Sequence, residues 1–158
     1  MCSSDLGFDH SLRVRRALER VNVTVLRNES REVRAEGGSL FIAGVDDACT
    51  GRDDLGLALP KVRQKAPIVL IAHDPSVILD NRAGYPHLIV SGHTHAGQVR
   101  LPFIGPLTAL PTQLGRSFDQ GIFEVDGNTV LAITRGVGES GARARFLAPP
   151  EIMVLRVK

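Results

Sequence analysis

Two histidines stand one residue apart in this chain, His93 and His95, directly after the apolar run 88–90. On an extended or tightly turned backbone, residues i and i+2 project to the same side, so both imidazoles can approach one small volume. Gly92 and Gly97 flank the pair and remove side-chain bulk that would keep the backbone away from an ion. Neutral imidazole is the commonest side-chain metal ligand. The His-x-His spacing on its own is equally compatible with a metal site and with a structural turn.

A third histidine, His73, stands in an equivalent place. It follows the apolar run 67–72 and is followed by Asp74 and Pro75. The run is short and rich in β-branched residues, so the sequence predicts a strand rather than a helix. Functional groups in open α/β sheets gather beyond the carboxyl ends of the strands. If the two strands are parallel neighbours, the three histidines meet at one edge of the sheet and form a candidate metal site.

The remaining sequence predicts the elements that would position these histidines. Helices are predicted over residues 11–20, from an amphipathic pattern, and 53–59, which opens with aspartates. Apolar and alternating runs predict strands at residues 21–26, 32–36, 39–45, 66–72, 88–91, 121–125, 129–134 and 151–157. The segment 126–128 predicts a hairpin between two of these strands. The sequence therefore favours an α/β domain with several short strands.

Aspartates and an arginine occupy the same predicted edge. Asp46 and Asp47 end one strand, where they either support a metal-bound histidine or cap the next turn. Asp74 is predicted to cap the turn after His73. Arg135 follows the strand 129–134, and it is either part of a clamp for a substrate phosphate or solvent-exposed charge. We take it as a candidate substrate-binding residue.

The bulk composition excludes some classes of protein. The chain has 158 residues, of which 43% are hydrophobic, as suits one globular domain. The formal net charge of +2 is too small to suggest a nucleic-acid partner, so none is expected. No uninterrupted apolar stretch has the length needed to cross a bilayer, so no membrane segment is expected in this chain.

The histidine motifs and the segments around them resemble the calcineurin-like metallophosphoesterase superfamily, in particular small bacterial phosphoesterases. The resemblance runs from about Val14 onward and is carried by the segments 23–29, 42–47, 72–75, 91–102, 135–138 and 150–152. It implies that His73 and His93 are ligands of one metal and that His95 is a ligand of a second. It also implies that the complete enzyme holds two divalent ions (Mn, Fe or Zn) and that its substrate is a phosphate ester. Relatives of this kind often carry an N-terminal membrane anchor or export signal, and their loop equivalent to residues 102–114 commonly borders the substrate cleft.

Three motifs of that family are missing from this sequence. The patterns Asp-x-His, Gly-Asp-x-x-Asp and Gly-Asn-His-Asp supply the bridging aspartate, an asparagine ligand and a catalytic histidine in the family, and none is present here. No catalytic residue is therefore identified. We expect residues 1–6 to be unrelated or artefactual sequence and residues 7–158 to be the C-terminal part of a single metallophosphoesterase domain. The expected fold class is α/β, as part of a two-sheet β-sandwich flanked by helices, with the N-terminal half missing.

Three functional hypotheses follow from these motifs. The first is a metal-dependent phosphoesterase with a two-metal mechanism, truncated and therefore weakly active or inactive. The second is a non-catalytic module that binds metal or phosphate. The third is a subunit completed by another chain, or self-associating, through an apolar face that the missing half would leave exposed.

Overall fold

A computed structural model describes residues 8–35, 37–59, 66–80, 86–141 and 143–156 of the chain. The helices are α1 (Phe8–Arg20) and α2 (Leu55–Ala58). The strands are β1 (Glu29–Ala35), β2 (Gly38–Gly44), β3 (Ile68–Ile71), β4 (Leu88–Ser91), β5 (Arg100–Leu101), β6 (Gly105–Pro106), β7 (Gly121–Glu124) and β8 (Val130–Ile133). Short 3₁₀ turns follow several of the strands.

Six of the strands form one mixed sheet in the order β1-β2-β3-β4-β8-β7. The four inner strands β2, β3, β4 and β8 are parallel, and the edge strands β1 and β7 are antiparallel to their neighbours. The parallel inner strands carry β-branched and aliphatic residues, which suit the centre of a sheet. Because these four strands run the same way, their carboxyl ends lie along one edge.

The core lies on one face of this sheet. The register places Ala43, Leu70, Ile89 and Leu131 side by side across the four parallel strands, and all four are buried. Leu55 and Leu59, in and just after α2, belong to the same cluster. The side chain of Asp54 accepts a hydrogen bond from the Leu57 amide at 3.0 Å and so caps the start of α2. The prediction of a helix near residues 53–59 is confirmed, although the helix is shorter.

The opposite face is less covered. An apolar groove of about 480 Å³ lies between the end of α1, residues 23–26 and strands β1 to β3. Val33 and Ile71 are exposed on these strands. The expected α/β class is confirmed: across the described ranges there is one six-stranded sheet and a two-stranded ribbon of β5 and β6. That this sheet is one part of a two-sheet sandwich stays a prediction.

Two strand predictions are wrong. Residues 21–26 form a turn and an irregular stretch, because the amides of Val21 and Val23 bond back to the carbonyl of Leu18 and continue the end of α1. Residues 151–156 alternate in exposure, as a strand would, yet no strand is assigned to them. Alternation along a chain does not make a strand unless a neighbouring strand supplies backbone partners. The other strand predictions, including the 126–128 hairpin, are confirmed with boundaries shifted by a few residues.

Candidate metal centre

The carboxyl ends of β3 and β4 bring two of the three histidines into contact. These strands are parallel neighbours, and the pairing continues past them, since the Ala72 amide donates to Val90 at 3.1 Å and the Gly92 amide donates to His73 at 3.1 Å. His73 and His93 lie at the carboxyl end of this ladder of backbone hydrogen bonds. Nε2 of His73 and Nδ1 of His93 lie 3.0 Å apart, and the ring centroids are 4.6 Å apart.

The His73 ring favours the neutral form that metal ligation requires. Partial burial, and next the neighbouring His93, lower the pKa of His73, while Asp47 and Asp74 oppose the shift. Two imidazolium ions at this separation would repel each other. Nε2 of His93 is buried and has no hydrogen-bond partner among the described residues.

His95 is held by a different contact. Its Nδ1 lies 3.1 Å from Oε1 of Gln98. That oxygen also accepts from the Ser140 amide at 2.6 Å, while Nε2 of Gln98 donates to the Ser140 carbonyl at 2.9 Å. The two bonds to Ser140 fix which way the Gln98 amide points, so Nδ1 of His95 must be the donor. In the neutral ring, Nε2 of His95 then keeps its lone pair.

The backbone of this loop adopts conformations that non-glycine residues rarely use. His93, His95, Ala96 and Gln98 have φ angles of 64°, 50°, 53° and 56°. Left-handed φ angles cost energy for these residue types and cluster at functional sites. The buried hydroxyl of Thr94 donates to the Asp119 carbonyl at 2.7 Å and ties the loop to the chain just before β7. The histidines project from a series of tight turns, rather than from an extended segment.

The three histidines line one cavity of about 590 Å³. Asp47, Gln98, Glu139 and Ser140 share its wall, together with residues 108, 109 and 111 of the loop that follows β6. Within the described parts of the chain, however, no three His, Cys, Asp or Glu side chains are arranged to hold one metal ion. The structure thus brings the predicted residues to one cavity and pairs His73 with His93, but it does not assemble them into one ligand set.

The aspartates of this edge have local partners. Asp46 accepts from Arg27 at 2.6 and 2.9 Å. Asp47 caps the turn that follows it and accepts from the Cys49 amide at 3.0 Å, while also facing the cavity. Asp74 accepts from the Ser76 amide at 2.8 Å, so its predicted capping role is confirmed. Asp47 is the aspartate of this set that combines a cap with a place in the cavity wall.

The predicted phosphate contact of Arg135 has a competitor. The Arg135 guanidinium donates to Oε1 of Glu151 at 2.7 Å, and its backbone amide donates to Oε2 at 3.1 Å. These bonds, with that from Thr134, lower the pKa of Glu151. Arg145 is directed at backbone carbonyls, including that of Ala148 at 2.9 Å. Arg135 is not among the residues that line the histidine cavity, and its role in substrate binding stays a prediction.

Comparisons with known proteins agree with the resemblance carried by the histidine motifs. The uncharacterized metallophosphoesterase YkuE of Bacillus subtilis is 36% identical over 137 residues, which cover 85% of this chain and 46% of that protein. An uncharacterized metallophosphoesterase of Aquifex aeolicus is 33% identical over 148 residues, which cover 89% of this chain and 53% of that protein. One of Helicobacter pylori strain 26695 is 32% identical over 146 residues, which cover 89% of this chain and 37% of that protein.

Similarity at this level over most of the chain identifies it as a member of the metallophosphoesterase superfamily. The chain spans about half the length, or less, of these curated relatives. No protein-family profile matches the chain. No solved structure matches it either.

Sequence reasoning assigned no role to the residues that hold His95. Gln98 and Ser140 are 42 residues apart in the chain, and neither is a metal-ligand type. One local signal was present: a glutamine three residues after a histidine in a glycine-flanked turn can return its side chain to the imidazole. Ser140 and Glu139, by contrast, carry no signal in the sequence, because only the folding of the 135–141 segment brings them to the cavity.

Proposed function

We propose that this chain forms part of a metal-dependent phosphoesterase, in which His73 and His93 bind one divalent ion and His95 contributes to the site of a second. The observation that carries the proposal is the 3.0 Å separation between Nε2 of His73 and Nδ1 of His93, at the carboxyl ends of adjacent parallel strands. The names of the relatives support the coarser part of the proposal, a metal-dependent phosphoesterase family.

The spacing of the two nitrogens fits ligation of one ion. Imidazole nitrogens bind zinc at about 2.0–2.1 Å, so two of them around one ion lie about 3 Å apart at right angles and about 3.3 Å apart in a tetrahedral site. The remaining nitrogen of a metal-bound histidine normally donates to an acceptor, and Nε2 of His93 has none among the residues described. The separation of the two nitrogens therefore suits two ligands of one ion, whereas Nε2 of His93 lacks the acceptor that a metal-bound histidine usually has. The remaining coordination positions are left to other groups.

The chain's own residues would act as ligands and as supports. His73 and His93 would donate lone pairs from neutral rings, and Gln98 would orient His95 so that its Nε2 is the ligating atom. Bound divalent ions would supply a water of lowered pKa and polarise a phosphoryl oxygen, which are the two requirements of phosphate-ester hydrolysis. Histidine ligation suits Mn, Fe or Zn.

Without the family's bridging aspartate, two cations in this cavity would repel each other with no shared negative charge between them. We therefore expect the 158-residue chain to bind at most one divalent ion, weakly, and to hydrolyse little or no substrate. We call this expectation the fragment hypothesis.

Isothermal titration calorimetry with Mn²⁺ and Zn²⁺ tests the metal assignment. The wild-type chain is expected to take up at most one ion of each metal. His73→Ala and His93→Ala should each abolish the binding. His87→Ala is the matched control, because His87 is exposed at the opposite, amino end of β4 and should leave the titration unchanged. A titration that His93→Ala leaves intact would disprove the assignment.

Activity is tested separately with bis-p-nitrophenyl phosphate under saturating metal. Little or no release of nitrophenol is expected. Two tight sites by calorimetry, or rapid hydrolysis, would contradict the fragment hypothesis while supporting the phosphoesterase itself. The same assay can be repeated on a longer chain that supplies the absent family motifs. If that chain binds metal but hydrolyses nothing, the non-catalytic binding module is favoured instead.

A second candidate, a subunit completed by another chain, has its own observation. The sheet face that carries Val33 and Ile71 is partly uncovered, and Ile152 and Val154 are strongly exposed on the segment 151–156, which forms no strand among the described residues. Exposed apolar faces of this kind are typical of interaction surfaces. Light scattering of the purified chain tests the self-associating form of this candidate. A monodisperse monomer would contradict self-association.

A further inference from the structure

The ribbon formed by β5 and β6 presents an apolar tip to solvent. Residues 100–107, here called the apolar hairpin, connect the histidine loop to the 108–114 segment. Phe103 is fully exposed at its turn and Ile104 is 63% exposed. Leu101 and Leu107 flank the turn and are exposed as well. Four large apolar side chains are therefore grouped on one short projection.

The base of the apolar hairpin is firmly held. Arg100 forms a salt bridge with Asp119 and donates to the Ala96 carbonyl at 3.1 Å. The Arg100 amide donates to the Phe146 carbonyl at 3.0 Å. Pro106 packs so closely on Gly97 that a Cβ at Gly97 would lie 2.6 Å from the Pro106 Cβ. The tip is exposed although its base is fixed, so the exposure does not come from a loosely attached loop.

Nothing in the packing of the fold requires these tip side chains to be apolar. Phe103 has a φ angle of 65°, a conformation in which glycine or asparagine would be less strained. Fully exposed phenylalanine beside isoleucine contributes no core contact and favours aggregation. An apolar residue in a conformation that disfavours it indicates that the side chain has a role outside the fold.

We propose that the apolar hairpin inserts into the surface of a lipid bilayer that contains anionic headgroups. Phenylalanine and leucine side chains enter the boundary between headgroups and acyl chains, and adjacent basic residues bind anionic lipids. Arg116 lines one cavity together with residues of the apolar hairpin and is exposed. It makes no ion pair within the described parts of the chain.

The shape of the tip favours a bilayer over a folded protein partner. A specific protein interface buries about 800 Å² on each side and needs complementary shape. The hairpin offers four large apolar side chains, far fewer than the roughly 20–30 residues that such an interface uses on each side, whereas a bilayer takes in a protruding tip without shape complementarity. No helix among the described residues is long and apolar enough to cross a membrane. The contact would be peripheral and would hold the histidine cavity close to the headgroups, because the hairpin base packs on Gly97.

Flotation with vesicles tests this inference on the whole chain without any metal, so that its outcome is independent of the phosphoesterase proposal. Vesicles of phosphatidylcholine with phosphatidylglycerol are compared with vesicles of phosphatidylcholine alone. The wild-type chain should float with the anionic vesicles. The double variant Phe103→Ser/Ile104→Ser should lose at least about tenfold in partition coefficient, since full burial of each side chain is worth more than that.

The matched control is Ile122→Ser/Val137→Ser, whose side chains are 64% and 65% exposed on other parts of the surface; it should float like the wild type. Arg116→Gln should weaken binding to anionic vesicles about fivefold and leave neutral vesicles unaffected. Circular dichroism confirms that each variant is folded.

Several results would overturn the inference. These are a wild-type chain that floats with neither vesicle, a hairpin double variant that floats as well as the wild type, and a control that loses as much binding. A lipid-free assembly that the hairpin substitutions dissolve would also overturn it, because the tip would then be a contact between proteins.

Discussion

Replacing Gln98 with alanine removes the acceptor that faces Nδ1 of His95 at 3.1 Å. The Gln98 amide cannot turn over in the wild type, because it both accepts from and donates to the backbone of Ser140. Its oxygen therefore selects the tautomer of His95 that carries the proton on Nδ1. A hydrogen bond of this kind contributes about 1 kcal/mol net, which corresponds to a roughly fivefold change in the tautomer ratio. We expect Gln98→Ala to lower the share of the Nδ1–H tautomer by that factor.

Long-range ¹⁵N–¹H correlation spectra measure this ratio directly, at a pH of about 8–9 where an ordinary imidazole is uncharged. Gln98→Glu should restore the Nδ1–H tautomer, since a carboxylate oxygen accepts the same proton. Gln113→Ala, at an exposed glutamine, is the matched control and should leave the spectrum of His95 unchanged. The reasoning is refuted if the wild-type ring carries its proton on Nε2, or if Gln98→Ala leaves the ratio as it was.

Two further predictions concern stability, measured by urea unfolding. Glu151→Gln should cost about 1–2 kcal/mol at pH 7, since it removes the charge from a half-buried ion pair, whereas Glu124→Gln on the exposed face of β7 should cost less than about 0.5 kcal/mol. Because the folded-state pKa of Glu151 is lowered, its contribution to the free energy of unfolding is fully present above the ordinary glutamate pKa of about 4.3. That contribution is lost as the pH falls through the folded-state value. A difference in stability between wild type and Glu151→Gln that survives at the lowest pH would contradict this. Gly97→Ala should cost about 2 kcal/mol or more, because Gly97 has a φ of +74° and its Cβ would collide with Pro106, while Gly138→Ala, with nothing within 4 Å, should be nearly neutral. If both glycine variants lowered the free energy of unfolding equally, the close packing of the hairpin base would not be needed for stability.

The outcome for the predicted strands shows where sequence patterns are sufficient. The runs that became β3 and β4 are short, apolar and rich in β-branched residues, and each ends in a turn with a histidine. Those are properties of neighbouring residues, so the sequence alone predicts both strands. Residues 151–156 alternate in exposure as a strand would, but they have no strand partner among the described residues. Whether a partner strand lies alongside depends on the fold and not on the neighbouring residues. The irregular stretch 21–26 differs from its prediction for another reason, because the amides of Val21 and Val23 bond back to the Leu18 carbonyl at the end of α1.

In the candidate site, too, contacts between residues close in the sequence could be predicted and long-range contacts could not. Three imidazoles at the ends of two strands could be read from spacing alone, as could the Asp74 cap, whose partner is only two residues away. The contact between His73 and His93 needed the strands to be parallel neighbours, which the sequence left as a condition. The Gln98–Ser140 bonds and the Arg135–Glu151 pair join residues 42 and 16 positions apart, and no pattern in the sequence predicts either.

The sequence by itself therefore determined which residues are of ligand type, where the strands that carry them end, and the superfamily to which the chain belongs. Only the tertiary structure decided which nitrogen faces which, what holds His95, what Arg135 binds, and that an apolar turn stands exposed on a fixed base. The physical reason is one of range. Turn propensity, periodicity and capping act over a few residues, whereas contacts at the sheet edge depend on how strands far apart in the chain are ordered and packed.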